Sequence, residues 1–210
     1  MMQTVMLADD HPMFRQGLKA LLEREGYEIV AEAADGHQAV RHARQLNPRV
    51  AVLDLGMPLL NGIDAAREIH KQAPDTEVVL LTMYEEDAYV LEALRAGIRG
   101  YVLKAQAAAD LLGAIREVLR GAVYLSPGIS KAVVDAYVNK SELPAEPLTG
   151  RERQVLQLVA EGKTTKEVAE VLGLSVKTAD SHRTRIMQKL EIHETASLVR
   201  YAIRRGFIKA

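Results

Sequence analysis

Along the first 120 positions, apolar residues alternate between short unbroken runs and stretches spaced for helices. The runs are TVMLA, EIVAEA, VAVLDL, EVVLLTM and GYVLK, and each predicts a β-strand. Four stretches with a 3.6-residue period lie between them and a fifth follows the last run, so five amphipathic helices are expected. This βα alternation argues for a five-stranded parallel sheet with helices on both faces. Strands buried on both sides read as nearly continuous apolar runs, as VAVLDL and VVLLTM do. In such sheets ligands bind just beyond the carboxyl ends of the strands.

The pattern stops near residue 121. Ser126-Pro127 predicts the start of a short helix bearing Ile129, Val133, Val134 and Tyr137, and SELPAEP then reads as a flexible linker. From Leu148 onward only short helices are expected. Thr149 with Glu152, and Thr164 with Glu167, have capping-box spacing. Gly173 ends the second of these helices, Ser175 caps the third, and the last runs from about Glu194 to Arg205, stopping at Gly206. Two short helices joined by a tight glycine turn form a helix-turn-helix pattern. The expected organisation is therefore residues 1–121 as an α/β domain, 122–147 as a linker with a short helix, and 148–210 as a small all-α domain.

Composition adds little until it is divided. The chain is 48% hydrophobic and 26% charged, as ordinary soluble domains are, and it has no cysteine for disulfides or thiolate metal sites. No signal peptide opens the sequence and no apolar stretch reaches the roughly 20 residues of a membrane span, so a cytoplasmic protein without a membrane partner is expected. The net charge of −1 hides an asymmetry. Residues 148–210 hold 12 Lys and Arg against 7 Asp and Glu, whereas residues 1–147 hold 15 against 21. An acidic front and a basic back suggest a phosphate-rich partner for the back alone, such as double-stranded DNA, while chance segregation of charge explains the split equally well.

Candidate chemistry gathers at the predicted carboxyl edge of the sheet. Asp9 and Asp10 close the first strand, Asp54 the third, Thr82 the fourth and Lys104 the fifth. Three carboxylates at one edge repel and call for a cation. Hard oxygen ligands with few fixed positions suit Mg²⁺, which keeps several waters. Asp54 is the candidate nucleophile for an aspartyl phosphate, and Gly56 lets a backbone carbonyl approach the metal. Lys104 offsets the remaining charge, and Thr82 is placed to hydrogen-bond a phosphate oxygen. Taken singly, each is an ordinary capping or loop residue; the joint pattern carries the reading. His11 is read as a partly exposed helix-start residue.

In the second domain, a helical wheel from Ser175 puts Val176, Ala179, Ile186, Met187 and Leu190 on one side. Lys177, Ser181, Thr184, Arg185 and Gln188 lie opposite, a small, polar and basic face suited to a major groove. Arg183, near the apolar edge, is assigned to phosphate; Thr178 and His182 flank the exposed face. The competing reading is a solvated amphipathic helix in a small bundle. Asp180 is the exception on this helix, since an acid cannot neutralise a phosphate but can accept a hydrogen bond from a cytosine amine.

LADDHPMFRQGL, VLDLGMPLLNGIDA, LLTMYEED and GYVLK closely resemble the receiver domains of NarL/FixJ-type response regulators, over nearly all of residues 3–120. LTGRERQVLQLVAEGKTTKEVAEVLGLSVKTADSHRTRIMQKL closely resembles the LuxR-type helix-turn-helix of the same family, over residues 148–206. The resemblance implies a flavodoxin-like receiver and a DNA-binding domain. It implies Mg²⁺ at Asp9 and Asp10, phosphorylation of Asp54 by a sensor histidine kinase, and phosphoryl contacts from Thr82 and Lys104. Tyr101 matches the aromatic switch position, whose ring turns inward on activation, and a homodimer is expected in the phosphorylated state. Ala105 follows Lys104 where many receivers have proline, and a non-proline cis bond there costs roughly 3 kcal/mol.

Rival readings remain open from the residues alone. An Mg²⁺-dependent phosphotransfer enzyme usually needs a second acid two residues after its nucleophile, and that place is Gly56. No turnover of external substrates is therefore expected, only phosphorylation and dephosphorylation of the chain itself. A regulator controlled by a small molecule, or one independent of phosphorylation, must account for a complete set of five pocket residues.

Overall fold

The computed structural model describes residues 3–85, 87–129 and 147–208, and the chain divides into two compact units, Met1–Ser141 and Glu142–Ala210. The short helix and the SELPAEP linker read from the sequence fall in 130–146, outside the described residues, apart from Ile129 at their edge.

In the first unit the apolar runs are strands: β1 (Thr4–Ala8), β2 (Glu28–Ala33), β3 (Val50–Asp54), β4 (Glu77–Thr82) and β5 (Gly100–Leu103). They alternate with helices α1 (Pro12–Arg24), α2 (Gly36–Leu46), α3 (Gly62–Gln72), α4 (Asp87–Arg95) and α5 (Ala107–Leu119), the last preceded by a 3₁₀ turn at Lys104–Gln106. The five expected strands form a parallel sheet, and among the described residues a short sixth joins its edge. Tyr124–Leu125 forms β6, which pairs in parallel with Gly100 and Tyr101 of β5. Two residues are too few to show a period, so the edge strand leaves no pattern in the sequence.

The strand order is β2-β1-β3-β4-β5-β6, and every pairing is parallel. The order reverses between β1 and β3, which opens a crevice at their carboxyl ends. On one face Val5, Leu7, Val52, Leu81 and Val102 pack with Leu18 and Leu22 of α1 and Leu111, Ile115 and Val118 of α5. The alternate strand positions, among them Met6, Leu53, Leu80 and Tyr101, are buried on the other face.

Local chemistry fixes where these helices begin. Pro12 takes the first position of α1, where its missing N–H costs nothing. Asn61 caps α3, its side chain accepting from the Asp64 N–H at 2.9 Å. Gly62 follows because α3 starts hard against the strand below it; a Cβ there would lie 2.3 Å from the Asp54 carbonyl oxygen. Ser126, read as a helix cap, has another role: its hydroxyl donates to Asp110 at 2.6 Å and accepts from the Leu103 N–H at 3.1 Å, pinning β6 to α5 and β5. No peptide bond among the described residues is cis.

Among its described residues the second unit has four helices, α6 (Gly150–Ala160), α7 (Thr165–Leu172), α8 (Val176–Lys189) and α9 (Thr195–Arg204). Both expected capping boxes form, at Thr149 with Glu152 and at Thr164 with Glu167. Gly173 ends α7 in the left-handed region at φ 63°, and the Ser175 side chain accepts from the Thr178 N–H to start α8. Leu156, Leu158, Val168, Ala179, Ile186, Leu198 and Ala202 close a core among the four.

Candidate functional site

The five predicted pocket residues meet at the carboxyl edge of the sheet. Asp9 and Asp54 are 2% and 3% exposed, and the ammonium of Lys104 lies between them, 2.7 Å from Asp9 Oδ2 and 2.9 Å from Asp54 Oδ1. Two buried carboxylates this close are tolerable only with a cation between them. Lys104 is steadied from outside by the Phe14 ring, whose centroid is 4.8 Å from Nζ.

Asp10 is more open, and His11 bridges it to its neighbour. His11 Nδ1 lies 2.9 Å from Asp10 Oδ1 and 3.2 Å from Asp9 Oδ1. One ligand atom from each of Asp9, Asp10, His11 and Asp54 fits within 4.8 Å. Three hard carboxylates in that space suit a divalent cation, and Gly56, half-buried just past Asp54, is the nearby backbone candidate. His11 caps α1 and its side chain is mostly exposed, as read, but its place in the acidic cluster is new.

Three further residues that the sequence reading passed over brace the pocket. Arg15 donates to the Asp9 backbone carbonyl and to Glu32 Oε2 at 3.0 Å, while Lys19 donates to Glu32 Oε1 at 2.8 Å. The Lys19 hydrogen bond, with help from Arg15 and against burial, holds the Glu32 carboxyl below its usual range. This ties the acidic end of β1 to β2.

Thr82 and Tyr101 are joined through Tyr84. Thr82 Oγ1 accepts from the Tyr84 N–H at 3.1 Å, and the Tyr101 hydroxyl donates to the Tyr84 carbonyl at 2.9 Å. Tyr101 is 1% exposed, so its ring is turned inward, and Tyr84 packs at a tilt of 49° against Tyr89 with ring centroids 4.9 Å apart.

On α8, Lys177, Thr178, Ser181, Thr184, Arg185 and Gln188 are exposed, whereas His182 and Arg183 are half-buried. The hydroxyl of Thr178 is hydrogen-bonded to that of Ser175, and Ser181 donates to the Lys177 carbonyl. Arg183 donates to Thr195 Oγ1 at 2.8 Å, so it joins α8 to α9 before any phosphate does. His182 Nδ1 is buried without a hydrogen bond among the described residues. Val176, placed on the apolar side by the wheel, is exposed, because at the first position of α8 it lies beyond the helices that cover the rest of that side.

The fold and pocket define a class: a parallel α/β domain with an acidic, lysine-bridged edge, in one chain with a helix-turn-helix unit. Comparison with known proteins gives the same class. Residues 5–116 match the response regulator receiver domain, and residues 146–202 match the LuxR family of bacterial regulatory proteins. The oxygen regulatory protein NreC of Staphylococcus carnosus is 37% identical over 213 residues, covering 97% of this chain and 98% of that one. The transcriptional regulatory protein LiaR of Bacillus subtilis is 37% identical over 207 residues, with the same coverage. RcsB of Salmonella enterica serovar Typhimurium, solved bound to promoter P1flhDC with the phosphomimetic BeF3⁻, is 29% identical with a TM-score of 0.64, over 95% of this chain and 97% of that one. The chain belongs to the NarL/FixJ-type response regulators and is a two-component response regulator with a receiver and a LuxR-type DNA-binding domain.

Proposed function

We propose that Asp54 accepts a phosphoryl group from a sensor histidine kinase and that the modification switches DNA binding by the second unit. The observation that carries this reading is the Lys104 ammonium held between Asp9 and Asp54. It sets Asp54 at the bottom of a crevice, with a cation beside it for the oxygens of an incoming phosphoryl group. An Asp54 carboxylate oxygen attacks phosphorus, the phosphorus–nitrogen bond to the kinase histidine breaks, and the freed imidazole takes up a proton. Asp9, Asp10, Asp54 and the Gly56 carbonyl would hold Mg²⁺, which would supply charge neutralisation for the transferred oxygens. Lys104 then pairs with the new dianion, and Thr82 turns its hydroxyl to a phosphoryl oxygen. Because Tyr84 hydrogen-bonds to both Thr82 and Tyr101, that movement is felt at the inward ring of Tyr101. The position two residues after Asp54 is Gly56 and not an acid, which supports one phosphorylation per cycle and no turnover of external substrates.

On the second unit, α8 enters the major groove. Lys177, Ser181, Thr184, Arg185 and Gln188 face the bases and backbone, Thr178 and His182 flank them, and Arg183 reaches a phosphate on release from Thr195. The proposed domain limits are residues 1–121 for the receiver and 148–210 for the DNA-binding domain. Two copies, brought together by phosphorylation, bind half-sites about one helical turn apart. A DNA partner supports a cytoplasmic location. Among the described residues no helix is long and apolar enough to cross a membrane.

Acetyl phosphate with Mg²⁺ tests the receiver. Intact-mass measurement should find one phosphoryl adduct on the full chain and none on Asp54→Ala, with a shift toward dimer on a sizing column only for the former. An adduct that persists in Asp54→Ala would place the phosphoacceptor elsewhere.

A further inference from the structure

Asp180 is the one acid on α8, among Lys177, Arg183, Arg185 and Lys189. It is exposed, and among the described residues its carboxylate takes part in no hydrogen bond or ion pair. Of the other cations on this helix, Arg183 binds Thr195 and Lys189 binds Glu152 at 2.7 Å, and Lys177, one turn away, forms no ion pair with Asp180 among the described residues. Helical spacing places Asp180 one turn from Lys177 and one turn from Thr184, so it shares their continuous surface. The hydroxyls of Thr178 and Ser181 on this surface are already hydrogen-bonded within the helix. Asp180 is therefore the strongest uncommitted acceptor that α8 presents.

Resting on the reading of α8 as the helix that enters DNA, we propose that Asp180 is a specificity-determining residue that accepts a hydrogen bond from the exocyclic amine of a cytosine in each half-site. A bare carboxylate weakens binding to phosphates and is repelled by the major-groove acceptors of guanine and thymine. Adenine offers an amine, but its N7 acceptor stands beside it. Cytosine is the base whose own major-groove edge carries an amine and no acceptor, the O6 and N7 of its guanine partner lying on the opposite strand. The cost of a negative charge on a basic face is thus recovered at one base only.

Selection of bound duplexes from a random-sequence pool tests this, using the full beryllofluoride-treated chain. The wild type should enrich a motif with cytosine at one fixed position per half-site. Asp180→Ala should keep the rest of the motif, lose about tenfold discrimination at that position and bind unselected DNA more tightly. Asp180→Asn should move the preference there toward adenine, which an amide pairs with in two bonds. If all three proteins enrich the same motif, or if the wild type prefers another base there, the assignment to cytosine is overturned while α8 still reads DNA. If the wild type enriches nothing, the DNA-reading role of α8 falls and this inference with it.

Discussion

At the scale of residues, the pocket is organised by one lysine. Lys104 is 12% exposed and holds two carboxylates that would otherwise face each other across about the width of an ion. Removing it leaves uncompensated buried charge, so Lys104→Ala should lose about 3 kcal/mol of stability in chelator. Millimolar Mg²⁺ should restore much of that loss and raise the melting temperature of the variant more than that of the wild type, because the metal no longer shares the acids with an ammonium. A variant whose melting is indifferent to Mg²⁺ would mean the acids do not form a cation site. The positions of Asp9, Asp10, Asp54, Thr82 and Lys104 were legible because each closes an apolar run, and strand ends share one edge. The support of Phe14, the bridging place of His11 and the link through Tyr84 were not, since each depends on how a side chain turns over a neighbouring element. The same limit applies to Arg183, whose partner Thr195 lies across the turn between α8 and α9.

At the scale of elements, Glu152 ties the helices of the DNA-binding unit together. It completes the capping box of α6 and accepts from Lys189 at the end of α8. Burial alone would raise its carboxyl, but the hydrogen bonds from Lys189 and Thr149 outweigh burial and hold it below the ordinary value of 4.5. A carboxyl lowered on folding adds stability that is present above 4.5 and lost as pH falls through the lowered value. Urea unfolding should therefore show Glu152→Gln about 2 kcal/mol less stable than the wild type at pH 7, with the gap closing toward pH 3. A gap independent of pH would leave the capping geometry intact but remove the charge argument. Both capping boxes and the Gly173 turn were readable because they depend on residues three positions apart. β1 and β2 were readable to their ends, since their apolar runs stop where the strands stop. β6 was hidden because its pairing rests on backbone bonds such as Tyr124 N–H to Arg99 carbonyl, which no residue pattern announces.

At the scale of the whole molecule, the charge division matches the division of labour. The acidic unit carries the lysine-bridged pocket, and the basic residues 148–210 carry the helix proposed to meet DNA. Phosphorylation adds charge in the first unit only, so a switch requires that the modified receiver favour one of two states that differ in DNA affinity. The central claim is that coupling, and the most direct test is fluorescence anisotropy of a duplex carrying the selected site, titrated with the full chain with and without beryllofluoride. The account predicts that beryllofluoride and Mg²⁺ tighten binding of the wild type by about tenfold or more and leave Asp54→Ala unchanged. Equal affinity of the wild type in the two conditions, at a site it demonstrably binds, would contradict it.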